Sequence, residues 1–408
     1  MYRAEKIVYK HNPIENRVLR IMGYSAFKLW NVANYERRNY KTLGFSSRPN
    51  WYDQKKRLKD SFFARNLPAQ TAQQVLKTLD KSWKSYDVLR KNGSILNPRP
   101  PRFKQDIMGF SFIQKSIKVE EGQVRLSISK QQCEYLRTIG IDARFIYLKT
   151  KLFSNVNVKE VGIRFLDEET FSAVFVYELP EPAVQADNGH HLSIDLGLKN
   201  SMTCYDSEGT SFIVNGFLAS THYHDKKIAY YQGISAKQQT ASGARYPKPT
   251  KRVLSMYKKK KNKVDNFLHQ ATRFITNYCA EHDISKVIVG DLKGIREGRS
   301  IGRTNQQLHY FPYERFYQML EYKLAQSGIE IIRQKEAYSS QCPPDSREVS
   351  KTYAVKKNRK HRGLYVDGEK VFNADCVGAY NIMRLYRQEK RLPDIPYGNL
   401  SSPERYTF

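Results

Sequence analysis

The 408-residue sequence lacks the features that hold a chain in a membrane or staple it outside a reducing compartment. No apolar run reaches the roughly 18 residues that a spanning helix needs, and Met1–Lys10 has no signal-peptide apolar stretch. Only five cysteines are present, Cys133, Cys204, Cys279, Cys342 and Cys376, scattered and without a CxxC pair. That excludes a disulfide framework and a zinc ribbon, and a soluble intracellular protein with reduced thiols is expected. Acidic residues are scarce: 40 Asp+Glu stand against 69 Lys+Arg, a formal net charge of +29. So large an excess opposes compaction by self-repulsion, and its usual reason in a folded chain is a polyanionic partner. What is abundant agrees. The 28 Tyr and 20 Phe interleave with Lys and Arg, which suits base stacking beside phosphate contact. A hydrophobic content of 40% supports two or three domains with real cores and excludes wholesale disorder.

Periodicity divides the chain. Residues 1–10 read as a strand, and 14–90 as a helical block in which Ile14, Val18, Ile21 and Met22, then Leu76, Leu79 and Trp83, keep amphipathic spacing. Asn97-Pro98-Arg99-Pro100-Pro101-Arg102-Phe103-Lys104 ends the block, because its prolines deny backbone donors. The period then becomes two, with hairpins over Ile117–Ile128 and Val158–Tyr177, so an all-β module is expected. Leu179–Gly189 reads as a linker. Beyond it, His191–Leu196, Ser201–Asp206 and Ser211–Val214 predict an antiparallel meander, followed by short apolar strands at Lys286–Gly290 and Ile329–Arg333 separated by helices. The stripe Phe316, Met319, Leu320, Leu324 marks one helix, ended by Gly328, and Ala379, Ile382, Met383, Tyr386 another. Three strands, helix, strand, helix, strand, helix is the order of a ribonuclease-H-like α/β layer. A basic helical stretch, Lys251–Tyr278, holds Lys258, Lys259, Lys260, Lys261 and Lys263.

In so basic a chain, carboxylates at strand ends stand out. Phosphodiester cleavage by two divalent ions needs about three of them converging beside the scissile phosphate. Asp195 ends the strand Ser193-Ile194-Asp195, with Ile194 and Leu196 on the opposite face and Gly197 permitting close backbone approach. Asp375 opens the last helix, a position where an Asp also serves as an N-cap. Between them, Asp291 follows Val287–Gly290, and Glu336 follows Ile331–Lys335 at the end of the next strand.

Asp195 with Gly197, the strand ending Gly290-Asp291-Leu292-Lys293-Gly294-Ile295-Arg296, the run Tyr338-Ser339-Ser340-Gln341-Cys342, and Asn373-Ala374-Asp375 leading to Gly378-Ala379-Tyr380-Asn381-Ile382 resemble the split RuvC motifs of TnpB proteins. These are transposon-encoded RNA-guided DNA nucleases related to the small type V CRISPR effectors. The resemblance extends to Pro100-Pro101-Arg102-Phe103-Lys104 and covers most of the chain. It implies a fold of α/β plus all-β type: a β-barrel-like wedge domain (1–13 and 95–185) interrupted by a helical recognition insert (14–94). A RuvC nuclease domain (186–389) with a basic insert (338–372) and a tail (390–408) would follow.

Two departures matter. The family's second catalytic residue is a Glu two positions before the motif Leu, which here is Gly290, with Asp291 displaced by one. A one-residue shift turns a strand side chain to the other face, so Glu336, ending the adjacent strand, is favoured over Asp291 and both are kept. Most relatives also carry four zinc-binding cysteines between these motifs. Cys342 alone cannot supply four ligands, so no structural zinc is expected.

The resemblance further implies a guide RNA, a double-stranded DNA target with a short flanking motif read by the protein, and two Mg²⁺ ions held by Asp195, Glu336 and Asp375. It implies a monomeric ribonucleoprotein in a prokaryotic cytosol, close to the nucleoid, with no membrane partner. The expected nucleic-acid contacts are Arg99, Arg102, Lys104, Lys258–Lys261, Lys263, Lys356, Lys357 and Arg359. A nuclease-inactive guided repressor and a CRISPR effector proper share this pattern. A DDE-type transposase or a junction resolvase would not explain the N-terminal half.

Overall fold

The computed structural model describes residues 2–93, 95–151, 156–197, 199–291, 311–361 and 363–408. The chain divides into two compact units, Met1–Pro180 and Glu181–Phe408.

In the first unit, β1 (Tyr2–Tyr9) leads into four helices, α1 (Pro13–Arg38), α2 (Trp51–Leu58), α3 (Phe62–Arg65) and α4 (Ala69–Asn92). Asn50 caps α2 with a full capping box, its side chain accepting from Tyr52 N and Asp53 N. The apolar stripes behave as their spacing implies: Val18 and Met22 of α1 and Leu76, Leu79 and Trp83 of α4 are buried in one core, whereas Ile14 is exposed. Gly93, at φ 63°, ends α4. Then come β2 (Phe110–Ile113), β3 (Ile117–Glu120), β4 (Gln123–Ser127), α5 (Lys130–Thr138), β5 (Phe145–Lys149), β6 (Asn157–Phe165) and β7 (Phe171–Glu178). They form two sheets, in the orders β1-β7-β6-β2 and β3-β4-β5. The expected barrel is therefore not closed: β1 and β2 are the two edges of an open four-stranded sheet.

The second unit is built on a six-stranded sheet. Its strands are β8 (His191–Asp195), β9 (Met202–Asp206), β10 (Ser211–Asn215), β11 (Lys286–Gly290), β12 (Glu330–Gln334) and β16 (Glu404–Thr407), in the order β12-β11-β8-β9-β10-β16. Strands β8, β9 and β10 are antiparallel neighbours, while β11 lies parallel to both β8 and β12. The helices are α6 (Phe217–Ala241), α7 (Lys251–Glu281), α8 (Tyr313–Ala325) and α9 (Ala374–Lys390). Pleat alternation splits the sheet between two cores. Leu192, Ile194, Val287 and Val289 join Phe267, Ile275 and Leu320 of α7 and α8. Ile213 and Ile288 join Val377, Ile382 and Tyr386 of α9. Before α9, β13 (Arg359–His361), β14 (Leu364–Asp367) and β15 (Lys370–Asn373) make a small antiparallel sheet. The basic insert is thus partly folded, and the C-terminal segment supplies an edge strand parallel to β10.

A candidate nuclease site

Asp195 closes β8, opposite Thr203 of β9. Leu192 and Ile194 face α7 and α8, so Ser193 and Asp195 face α9, where Ser193 Oγ donates to Ala379 O at 2.7 Å. Gly378 makes that approach possible: a Cβ there would lie 2.5 Å from Asp195 Oδ2. Gly197 turns the chain just beyond, where a Cβ would lie 2.5 Å from Asn200 O. Burial and then the Asp375 charge push the Asp195 carboxyl up to about 7, with Arg359 partly offsetting them.

Ile194 pairs with Val289, so position 290 lies beside Asp195. In turn Gly290 pairs with Gln334 of β12, and Asp291 N donates to Gln334 O at 2.7 Å. Just past β12, Glu336 returns toward the sheet, and its carboxylate fills the space a side chain at 290 would take. A Cβ on Gly290 would collide with Glu336 Oε2. Burial first, then the charges of Asp195 and Asp291, push Glu336 up to about 8. The pleat argument against Asp291 agrees with this geometry: the glycine faces Asp195, and the carboxylate in its place comes from the next strand. Asp291 lies close enough to act on Glu336 through its charge.

Asp375 sits in the first turn of α9. The N-cap is its neighbour Asn373, whose side chain accepts from Asp375 N and Cys376 N, which frees the Asp375 carboxylate for the pocket. Its Oδ2 accepts from Asn200 Nδ2 at 2.7 Å, and Asn200 Oδ1 accepts from Asn215 Nδ2 at 3.3 Å. Its Oδ1 meets the Arg359 guanidinium at 3.0 Å. Sequence reasoning passed over Asn200 as a site residue. The signal available was its place three residues after Gly197, where a tight turn carries it back to the sheet end.

Asp195, Glu336 and Asp375 offer only hard oxygens, the donor set of Mg²⁺ or Mn²⁺. Burial and mutual repulsion raise the first two, and Arg359 offsets the charge only at Asp375 and in part at Asp195, so the residues fit a divalent cation. Among the described residues no three His, Cys, Asp or Glu side chains already stand at metal-ligand spacing.

The profile of the OrfB_IS605 family, described as a probable transposase, matches residues 174–296. A second profile, the Cas12f1-like TNB domain, matches 313–382. The chain is a TnpB-like relative of the small type V effectors. Its fold is similar to that of Cas12f1 in a complex with sgRNA and target DNA, at 15% identity and a TM-score of 0.59, covering 91% of this chain and 82% of that one. A Cas12f ternary complex superposes more loosely, at 13% identity and a TM-score of 0.39, covering 91% and 81%. No curated protein matches.

In this TnpB-like chain the expected nucleic-acid contacts have different fates. The proline segment is clamped on α1: Trp30 Nε1 donates to Arg102 O at 3.2 Å, Asn34 Nδ2 to Pro101 O at 2.9 Å, and Asn31 Nδ2 to Lys104 O at 2.9 Å. Arg99, Arg102 and Lys104 are left exposed. Along α7, Lys258, Lys259, Lys261 and Lys263 are exposed, but Lys260 turns to Asp225 of α6 as an ion pair. Lys356 and Lys357 are exposed, whereas Arg359 reaches Asp375. Motif residues 292–296 lie outside the described residues. A cavity of about 770 Å³ in the first unit was not singled out by sequence; it is lined by Lys55, Lys56, Lys59, Arg65 and Lys130 over Leu58, Leu67 and Leu76.

Proposed function

We propose that this chain is an RNA-guided DNA endonuclease of RuvC type, cleaving phosphodiesters with divalent cations between Asp195, Glu336 and Asp375. The observation that carries it is the Glu336 carboxylate standing beside Asp195 in the space left by Gly290, where the family's pattern puts a glutamate. Three antiparallel strands followed by two parallel ones suit a ribonuclease-H-like layer. The net charge of +29 suits a guide RNA and a DNA duplex, and the likeness to Cas12f1 supports the same fold.

In this reading base pairing with the guide selects the sequence, while exposed cations such as Arg102 and Lys258 hold the phosphate backbone. Cations at the site would supply Lewis-acid charge at the phosphate and lower the pKa of attacking water. Asp195 and Glu336 hold acceptor oxygens on one side of the pocket, and Asn200 orients the Asp375 carboxylate on the other. The chain acts as a monomeric ribonucleoprotein of the cytosol; no helix among the described residues is long and apolar enough to cross a membrane. Asp195→Ala is expected to abolish plasmid cleavage while guided DNA binding, read by gel shift with the RNA from the gene's own 3′ region, stays within about threefold of the native protein. Undiminished cutting by that variant rejects the site.

A further inference from the structure

Both oxygens of Asp375 are engaged, one by Asn200 at 2.7 Å and the other by Arg359 at 3.0 Å. The first contact comes from the sheet end and the second from the insert. Arg359 opens β13, a three-residue strand whose residues are all exposed. That strand pairs with β14 only through Arg359–Tyr365 and His361–Leu364, with a register shift between them. The side-chain exposures of the ion pair are 35% for Arg359 and 25% for Asp375, and a pair so open to water is weak. The backbone beside it is fixed, since Asn358 Nδ2 donates to Asp367 Oδ1 at 3.0 Å. A guanidinium on an anchored backbone can therefore leave Asp375 by side-chain rotation alone.

We propose that Arg359 is a displaceable counter-charge, closing the carboxylate pocket while no nucleic acid is bound and released when a phosphate backbone docks on the insert. This rests on the metal-dependent cleavage proposed above. Lys356, Lys357 and Lys360 are exposed beside Arg359, so a backbone attracted to them brings phosphate oxygens within its reach. Phosphate accepts a guanidinium in a bidentate fork, a better partner than the one carboxylate oxygen Arg359 now holds. Its departure frees Oδ1 of Asp375 and removes a positive charge from beside the carboxylates. Polyanion and cation then load in order, and the free protein keeps a poor site for divalent ions.

The test is Mn²⁺ titration of nucleic-acid-free protein, read by electron paramagnetic resonance. The proteins compared are the native chain, Arg359→Gln, Arg359→Lys and Asp195→Ala. Arg359→Gln is expected to bind Mn²⁺ about tenfold more tightly than the native chain, about 1.4 kcal/mol, while Arg359→Lys stays near native because it keeps the charge. Adding a single-stranded oligonucleotide is expected to tighten Mn²⁺ binding to the native protein and to leave Arg359→Gln nearly unchanged. Equal affinities of native and Arg359→Gln protein, with the Mn²⁺ site still lost in Asp195→Ala, overturn the role of Arg359 and leave the cleavage reading standing. Mn²⁺ binding that is indifferent to Asp195→Ala overturns the metal reading, and this inference with it.

Discussion

Asp195 and Glu336 share one problem: each is drawn out of water beside other carboxylates, so each is harder to ionise than in the unfolded chain. A group whose pKa is higher folded than unfolded holds its proton more tightly in the folded state. Its stabilising share is complete below about pH 4 and is lost as pH rises through about 7 for Asp195. In EDTA, Asp195→Asn is therefore expected to melt about 2–4 °C above the native protein at about pH 8, with the difference shrinking as pH falls and the two curves meeting only below about pH 4. A melting difference that does not change with pH contradicts this. Glu336 permits a sharper check, because its carboxylate occupies the side-chain space of residue 290. Gly290→Glu combined with Glu336→Gly moves the carboxylate back to the strand, and is expected to cleave about tenfold or more faster than Glu336→Gly alone. Sequence alone left Asp291 and Glu336 both standing. Strand alternation disfavoured Asp291, but only the return of the chain after β12 shows where the Glu336 carboxylate goes.

At the scale of elements, what was legible followed period and punctuation. The stripes of α8 and α9, the meander β8–β10 and both hairpins of the first unit lie where spacing placed them. Helix α6 was not legible, because Phe217, Tyr223, Ile228, Tyr230 and Ile234 make no continuous apolar face; it packs mainly on α7, and Phe217 also meets Phe311. Strand β16 offers one aromatic, Tyr406, among Glu404, Arg405 and Thr407, too little for a strand pattern. The insert packs on α9 through polar contacts. Cys342 is buried, and its thiol donates to Ser350 O at 3.3 Å. Polar groups of α9 hold the segment: Asn381 Nδ2 donates to Ser339 O at 2.7 Å and Cys342 O at 2.8 Å. Buried Arg384 donates to Pro343 O, Ser346 and Asn381. Removing Arg384 strands several acceptors at once, so Arg384→Ala is expected to cost about 3 kcal/mol in a thermal or denaturant melt. A zinc chelator is expected to leave the native melting temperature unchanged; a drop on chelation would show a bound structural metal.

For the whole molecule, cationic stretches of a chain with net charge +29 lie on α7, the proline segment, the insert and the cavity of the first unit, and the carboxylates Asp195, Glu336 and Asp375 stand against them. RNA affinity is expected to fall linearly in log salt, with a slope of about −0.7 for each phosphate neutralised. The double reversal Lys55→Glu, Lys130→Glu should shallow that slope by about 1–2, whereas an unchanged slope would remove the cavity from the RNA path. A basic protein without those carboxylates would only hold nucleic acid; the proposed cleavage rests on them. The most direct measurement is plasmid cleavage programmed by the RNA from the gene's own 3′ region, comparing native protein, Glu336→Ala and Asp291→Ala. Native cutting, loss of about 1,000-fold or more in Glu336→Ala, and Asp291→Ala within about tenfold of native are the expected results. Native-level cleavage by Glu336→Ala, or no guided cleavage by the native protein, would contradict the assignment of this pocket as the nuclease centre.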